Sequence, residues 1–415
     1  MKFNNKILSF LIVIYVATII FNGLLTKIAI DFGFLSFKKI LPEVILIIIL
    51  TILTINIFLK KKINLNIFFI AACFYIFNFI FQCISIDDGK IFYAIRDNLL
   101  PFILLFLIMN NSFNINEKKI LMRKLTALIK IFLISGFILA LLEFILGWKW
   151  TSIFYTGIPF YGRDEASGIM IWQIGKYLRV PSVTGDSVIF AISNFFAFFL
   201  IDISNQKKIY KFLAVVNIIL STSRTILIVL IVYIFIKFLL ENTKNFNFIR
   251  KNMLIILTIT IFIIAVVLFI LIYCNNNTLG SLYERINGVW KNIFINLNLK
   301  EFLLGKGVFE IGSGMNNYLA NNYEYFYIYS FVDNTILYLI LSYGIIGSLL
   351  FILINFKVIK ISLKLNDLKY MSFILASMIG SLTINYMQGR SYIYLYFIFF
   401  IFIGCNKEDL YGENT

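Results

Sequence analysis

Apolar runs of the length that crosses a bilayer as a helix, roughly 20 residues, recur along nearly the whole chain. They fall near 7–25, 43–59, 67–86, 91–109, 125–147, 184–203, 253–273, 332–356, 371–388 and 391–405. The chain as a whole is 60% hydrophobic and only 14% charged, with a mean hydropathy of +0.90, well outside the range of soluble domains. The expected fold is therefore all-α, a polytopic helical bundle forming one integral membrane domain over residues 1–415. The start "MKFNNKILSFLIVIYVATII" has a basic beginning and a long apolar run but no small-residue cleavage site, so it reads as a retained first helix.

The stretch 209–240 decides the topology. As one helix it would be about 48 Å long against a hydrocarbon core of about 30 Å. Split at "STSRT" it becomes two helices, 209–221 and 225–240. Basic residues favour the cytoplasmic side, and the split puts Lys60–Lys62, Lys118–Lys124, Lys207–Lys211, Lys244–Lys251 and Lys357–Lys369 all there, whereas merging would export the last two clusters. About twelve transmembrane helices follow, with both termini cytoplasmic and two long outer loops, 148–183 and 274–331. The acidic residues Asp164, Glu165, Asp186, Glu284, Glu301, Glu310, Glu324 and Asp333 gather on that outer side.

The net charge of +16 is distributed as short clusters between apolar runs, the pattern of membrane loops rather than of a nucleic-acid interface. Histidine is absent, which excludes His-based metal sites and Ser-His or Cys-His nucleophile pairs. The cysteines do not group; Cys73 and Cys83 are about 15 Å apart on one helix, too far for a disulfide.

An arginine inside an apolar run costs about 2.5–3.5 kcal/mol even on lenient insertion scales, so Arg224 in "IILSTSRTILIVLI" must be hidden, hydrated or used. Two readings stand: a snorkelling or structurally paired arginine, or an anion ligand at a helix start where N–H groups and the dipole also favour negative charge. Arg179, in "YLRVPSVTGDSVIF", lies at the same membrane level, either as a headgroup anchor or as a second anion ligand, with Asp186 in the first turn of the next helix. Arg285 sits on the edge of the apolar stripe of "SLYERINGVWKNIFINLNL", an expected amphipathic helix on the outer face. Tyr323 and Tyr325 suit sugar stacking as well as an interfacial aromatic belt. Asp333 opens the tenth helix as a cap or a base, Glu143 lies within the fifth, and Arg96 with Asp97 reads as a local pair that stabilises packing. The glycines Gly305, Gly307, Gly312 and Gly314 do not open a strand-to-helix unit and are not read as a nucleotide loop.

In these segments, from the Arg179–Asp186 stretch through "STSRT", "ERINGVW" and "LLGKGVFEIG" to "DNTILYLILSYGIIG", the sequence resembles the O-antigen polymerase and O-antigen ligase superfamily over roughly residues 125–356. The resemblance implies glycosyl transfer at the outer face of a bacterial inner membrane, from a glycan on undecaprenyl diphosphate. Ligases of the superfamily rely on an outer-loop histidine, so its absence favours the polymerase branch, as in O-antigen, lipopolysaccharide or capsule synthesis. In that scheme Arg179, Arg224 and Arg285 bind the diphosphate, Asp333 or Asp186 takes the acceptor proton, Tyr323 and Tyr325 contact sugar, and neither metal nor cofactor is needed. Expected partners are the lipid-linked oligosaccharide, membrane lipids, a chain-length regulator and a flippase. Two rivals stay open: a flippase for the same lipid-linked sugar, and a polyprenyl-diphosphate-dependent glycosyltransferase of the shape, elongation and division group.

Overall fold

The structure is a computed structural model that describes residues 5–60, 66–83, 91–111, 113–154, 172–174, 177–242, 289–312, 315, 328–329, 332–387 and 392–404. Apart from one short hairpin, the described chain is helical. Among the described residues four helices are long and apolar enough to cross a membrane, or five if the bent pair at the N-terminus counts as one span. The expected run 253–273, Arg285, Tyr323 and Tyr325 lie outside the described residues.

Two compact units emerge: Met1–Leu65, Ile103–Ile231 and Arg390–Thr415 form one, and Asn66–Phe102 with Val232–Gly389 form the other. The first contains α1 (Asn5–Ile20), α2 (Asn22–Asp31), α3 (Leu35–Lys60), most of α6 (Leu100–Asn110) and α7 (Ile115–Phe154). A hairpin of β1 (Trp172–Ile174) and β2 (Tyr177–Arg179), with Trp172 opposite Arg179, then leads into a 3₁₀ turn, Ser182–Thr184. After it come α8 (Ser187–Ile203), α9 (Lys208–Leu220), the start of α10 (Arg224–Asn242), and α15 (Tyr392–Phe399) with its 3₁₀ extension Phe400–Phe402.

The first expected span, 7–25, is not one straight helix. At Phe21 the backbone leaves helical values, with φ −104° and ψ 20°, and α1 and α2 meet at 80°. Asn22, a weak helix former, directs its side-chain oxygen to Lys38 Nζ at 2.7 Å. Gly23 lies so close to the Gly185 turn that a Cβ would stand 2.3 Å from the Gly185 nitrogen. The bend is therefore bound up with the turn that precedes α8. By contrast, the break expected in 209–240 is present: α9 ends at Leu220 and α10 starts at Arg224, with Thr222 at φ 55° between them.

Lipid offers apolar side chains no reward for leaving it, so helices in a membrane associate through close fit and polar pins. Both occur in the first unit. Phe196 stacks on Phe399 at 5.4 Å, and Phe132 contacts Phe21 and Phe190 edge-on at 5.8 and 6.1 Å. Asn217 Nδ2 donates to Asn194 Oδ1 at 2.9 Å and to the Leu133 carbonyl at 3.3 Å, joining α7, α8 and α9. Lys211 pairs with the fully buried Asp202 beside the tight α8–α9 turn.

The second unit holds α4 (Ile67–Cys83), α5 (Ile91–Ala94), a π-helical turn (Ile95–Leu99) running into α6, α11 (Lys291–Asn296), α12 (Leu299–Leu304), α13 (Thr335–Lys364) and α14 (Leu368–Gly380). The expected amphipathic helix is interrupted where it is described: α11 stops at Leu297, whose ψ of 115° is extended. Asn298 and Glu301 then form a capping box that starts α12. The long α13 is kinked at Gly344, with φ 72°. Leu303 fills the kink so closely that a Cβ on Gly344 would lie 2.0 Å from the Leu303 carbonyl oxygen. Lys306 and Gly307 both donate backbone N–H groups to the Leu341 carbonyl, at 2.7 and 3.2 Å.

Candidate functional site

The segment from Arg179 to Asp186 reaches its conformation by being tied to α7. Ser182 holds a left-handed backbone, φ 47°, unusual for a residue other than glycine. Two hydrogen bonds hold it there: its N–H donates to Glu143 Oε2 at 2.9 Å, and its Oγ donates to the Gly136 carbonyl at 2.8 Å. Glu143 and Ser182 are both fully buried. Thr184 Oγ1 closes the turn on the carbonyls of Pro181 and Asp186, each at 2.8 Å, and Gly185 supplies the left-handed exit.

Asp186 then caps α8, its Oδ1 accepting from the N–H groups of Val188 and Ile189 at 2.7 and 2.8 Å. The guanidinium of half-buried Arg179 is within electrostatic reach of that carboxylate. So is the phenol of Tyr392 at the start of α15. The turn thus brings one cation near one carboxylate at the N-terminus of a 17-residue helix, and that carboxylate itself takes the N–H groups of Val188 and Ile189.

Arg224 belongs to the same end of the α8–α9 pair. The contacts Asn194–Asn217 and Asp202–Lys211 set the two helices antiparallel, so the break at Ser221–Ser223 is level with the first turn of α8. Arg224 is the first residue of α10 and is exposed. The break is held by Ser221, whose Oγ donates to the Ile218 carbonyl at 2.6 Å and accepts from Ser223 N–H at 3.3 Å.

Asp333 is in the second unit, half-buried, one residue before the cap of α13. That cap is Asn334, whose Oδ1 accepts from Leu337 N–H at 2.9 Å and whose Nδ2 donates to the Leu382 carbonyl at 2.9 Å. Thr335 Oγ1 donates to the Ile384 carbonyl at 2.6 Å and accepts from Tyr386 N–H at 2.8 Å. Asp333 thereby has a fixed backbone at its C-terminal side without the cap role itself. In the same unit, Lys306 is held by its neighbours: its Nζ lies 3.5 Å from Glu301 and 4.8 Å from the ring centre of Tyr329. Burial pushes the Tyr329 phenol up, and Lys306 opposes that shift.

Glu143 stands out in the sequence as an acid within an apolar run, but its partner 39 residues away does not. Tyr392 and Gly23 carry no local signal, since one is an aromatic in an aromatic run and the other a single glycine within the apolar run 7–25. Comparison of the chain with protein-family models and with curated proteins gives no match.

Proposed function

We propose that this chain is a polysaccharide repeat-unit polymerase, a glycosyltransferase that works at the outer face of a bacterial inner membrane within a bundle of about twelve transmembrane helices. The reading is supported above all by the Arg179–Asp186 turn, which a buried Glu143 fixes at the same end of the helix pair as Arg224. Guanidinium groups suit a diphosphate because their donors form a rigid fork and carry a permanent charge.

In the proposed reaction an acceptor sugar hydroxyl of one lipid-linked repeat unit attacks the anomeric carbon of the growing glycan on its undecaprenyl carrier. The new C–O bond forms as the bond to the diphosphate breaks, and undecaprenyl diphosphate leaves with the electron pair. Arg179 and Arg224 offset the charge that develops on it, and Asp186 accepts the hydroxyl proton. For Asp186, Oδ1 serves the helix cap and Oδ2 would take the proton.

The test is polymer synthesis from lipid-linked repeat units by the purified full-length protein in liposomes. Arg224→Ala is expected to abolish long chains while inserting normally, and Arg224→Lys, which keeps charge but not the fork, to retain a small part of the activity. If both variants still build long polysaccharide, Arg224 has no part in the reaction. Movement of the oligosaccharide across the bilayer without chain growth would instead identify a flippase.

A further inference from the structure

The start of α7 carries more positive charge than its packing uses. Lys118 Nζ donates to the Ile403 carbonyl at 2.9 Å and Lys124 Nζ lies 5.8 Å from the Phe10 ring centre, so both serve neighbouring segments of the first unit. Lys119, Arg123 and Lys130, by contrast, meet no carboxylate among the described residues. At about 100° per residue these cations fall within about 40° of one another and form one stripe along the helix. Glu117 is about 160° round from Lys119, on the other side of α7, and Asp202 is taken by Lys211. Thr126 falls beside the stripe, within about 60° of all three cations. It is 5% exposed, and its Oγ1 has no partner. Thr26, Thr51 and Thr54 show the usual arrangement, each donating to the carbonyl four residues back at 2.7 to 2.8 Å.

Alongside the stripe runs α9. Lys130 Nζ lies 5.2 Å from the Tyr210 ring centre and the Leu133 carbonyl accepts from Asn217, so α7 and α9 point the same way. Counted back along both helices from that Leu133–Asn217 contact, Tyr210 is level with Thr126, and Lys207, one turn earlier, is level with Arg123. A helical side chain leans toward the N-terminus, which carries the Lys130 ammonium back to the same level. Lys207 also gives the first N–H groups of α9 no side-chain cap. Unpaired cations, a buried hydroxyl without a partner and an uncapped helix start thus share one groove, and all of them suit the oxygens of an anion. Further along the stripe the lining turns apolar, with Ile134 exposed and Phe137 half-buried. We propose that the groove between the first turns of α7 and α9 binds the phosphate headgroup of an anionic phospholipid. Arg123 and Lys207 hold the phosphate at the mouth, Lys130 and Thr126 line the groove deeper in, and the acyl chains run past Ile134 and Phe137, as in basic pockets between membrane helices. The groove is at the opposite end of the α8–α9 pair from the Arg179–Asp186 turn, and its occupation does not depend on the reaction proposed there.

The test adds phosphatidylglycerol or phosphatidylcholine with identical acyl chains to the full-length protein in a neutral detergent and counts bound lipid by native mass spectrometry. Phosphatidylglycerol is expected to bind saturably and about tenfold more tightly than phosphatidylcholine. Arg123 is exposed, so Arg123→Gln leaves the packing of α7 alone; it should remove most of that preference. Thr126→Val, which keeps the shape and loses the hydroxyl, should weaken phosphatidylglycerol binding about threefold. Lys357→Gln combined with Lys360→Gln, which takes charge from an exposed face of α13, should leave the preference intact. Equal binding of the two lipids by the unmodified protein overturns the proposal without any variant. A loss of preference in the α13 double variant as large as in Arg123→Gln overturns it as well, because the lipid would then be answering to net charge and not to this groove.

Discussion

Glu143 illustrates how a single residue organises the candidate site. A carboxylate with no exposed surface in an apolar helix is expensive, and it is retained here as the acceptor for Ser182 N–H, in a residue whose backbone is already strained. Glu143→Leu would leave that N–H buried and unpaired, a loss of about 1–3 kcal/mol, seen as a lower melting temperature in detergent together with loss of activity. Glu143→Gln keeps an acceptor oxygen at the same reach, so its melting temperature should fall less; equal losses for the two variants would mean that the hydrogen bond does not hold the turn. Legibility at this scale follows sequence distance. Arg96 and Asp97, adjacent in the chain, are readable as a local pair and form one. Glu143 is readable only as a conspicuous acid, because its partner approaches through the fold. Asp333 and Asn334 pose a choice between neighbours that depends on which one has extended backbone angles, and Asn334, with φ −149° and ψ 118°, is the cap.

Glycines divide the long helices into working lengths, and they do so in two ways that sequence cannot tell apart. Gly147 in α7 has φ 61° and nothing within 4 Å of where a Cβ would stand, whereas Gly344 in α13 has φ 72° and the Leu303 backbone in the way. Gly147→Ala should therefore cost only the backbone strain of φ 61° with ψ −147°, a region that glycine alone adopts readily, about 1–3 kcal/mol, and accumulate as folded protein. Gly344→Ala adds a backbone collision that no rotamer change relieves, so it should fail to give a monodisperse peak on fluorescence-detected size exclusion. Similar profiles for the two variants would show that α12 can withdraw from α13. Among the elements, the split at Ser221–Ser223 is legible because a helix over the whole of 209–240 is too long for the bilayer. The 80° bend after Ile20 is not, since Gly23 is set by its contact with Gly185, more than 150 residues away in the chain. The approach of Lys306 and Gly307 to the Leu341 carbonyl is hidden for the same reason.

For the whole molecule, the proposed chemistry depends on which side of the membrane the Arg179–Asp186 turn faces. The tight turn between α8 and α9 and the turn between α13 and α14 are both flanked by lysines, Lys207, Lys208 and Lys211 at the first and Lys360, Lys364 and Lys369 at the second. Basic residues within about 15–20 residues of a span's end bias that end to the cytoplasm, which would direct the opposite end of α8, with Arg179 and Asp186, outward. In a cysteine-free background, Gln206→Cys and Leu365→Cys should be shielded from a membrane-impermeant maleimide in intact cells and react once the membrane is permeabilised. Ser167→Cys, in the segment 148–183, should react without permeabilisation. The reverse pattern would turn Arg179 and Arg224 toward the cytoplasm. A diphosphate-linked glycan already moved to the outer leaflet could not then reach them, and these arginines would be open instead to carriers still being loaded on the inner leaflet. Labelling of all three positions in intact cells would point to a different membrane path for α8 and α9, because the antiparallel contacts Asn194–Asn217 and Asp202–Lys211 require the two ends of that pair to be about a helix length apart.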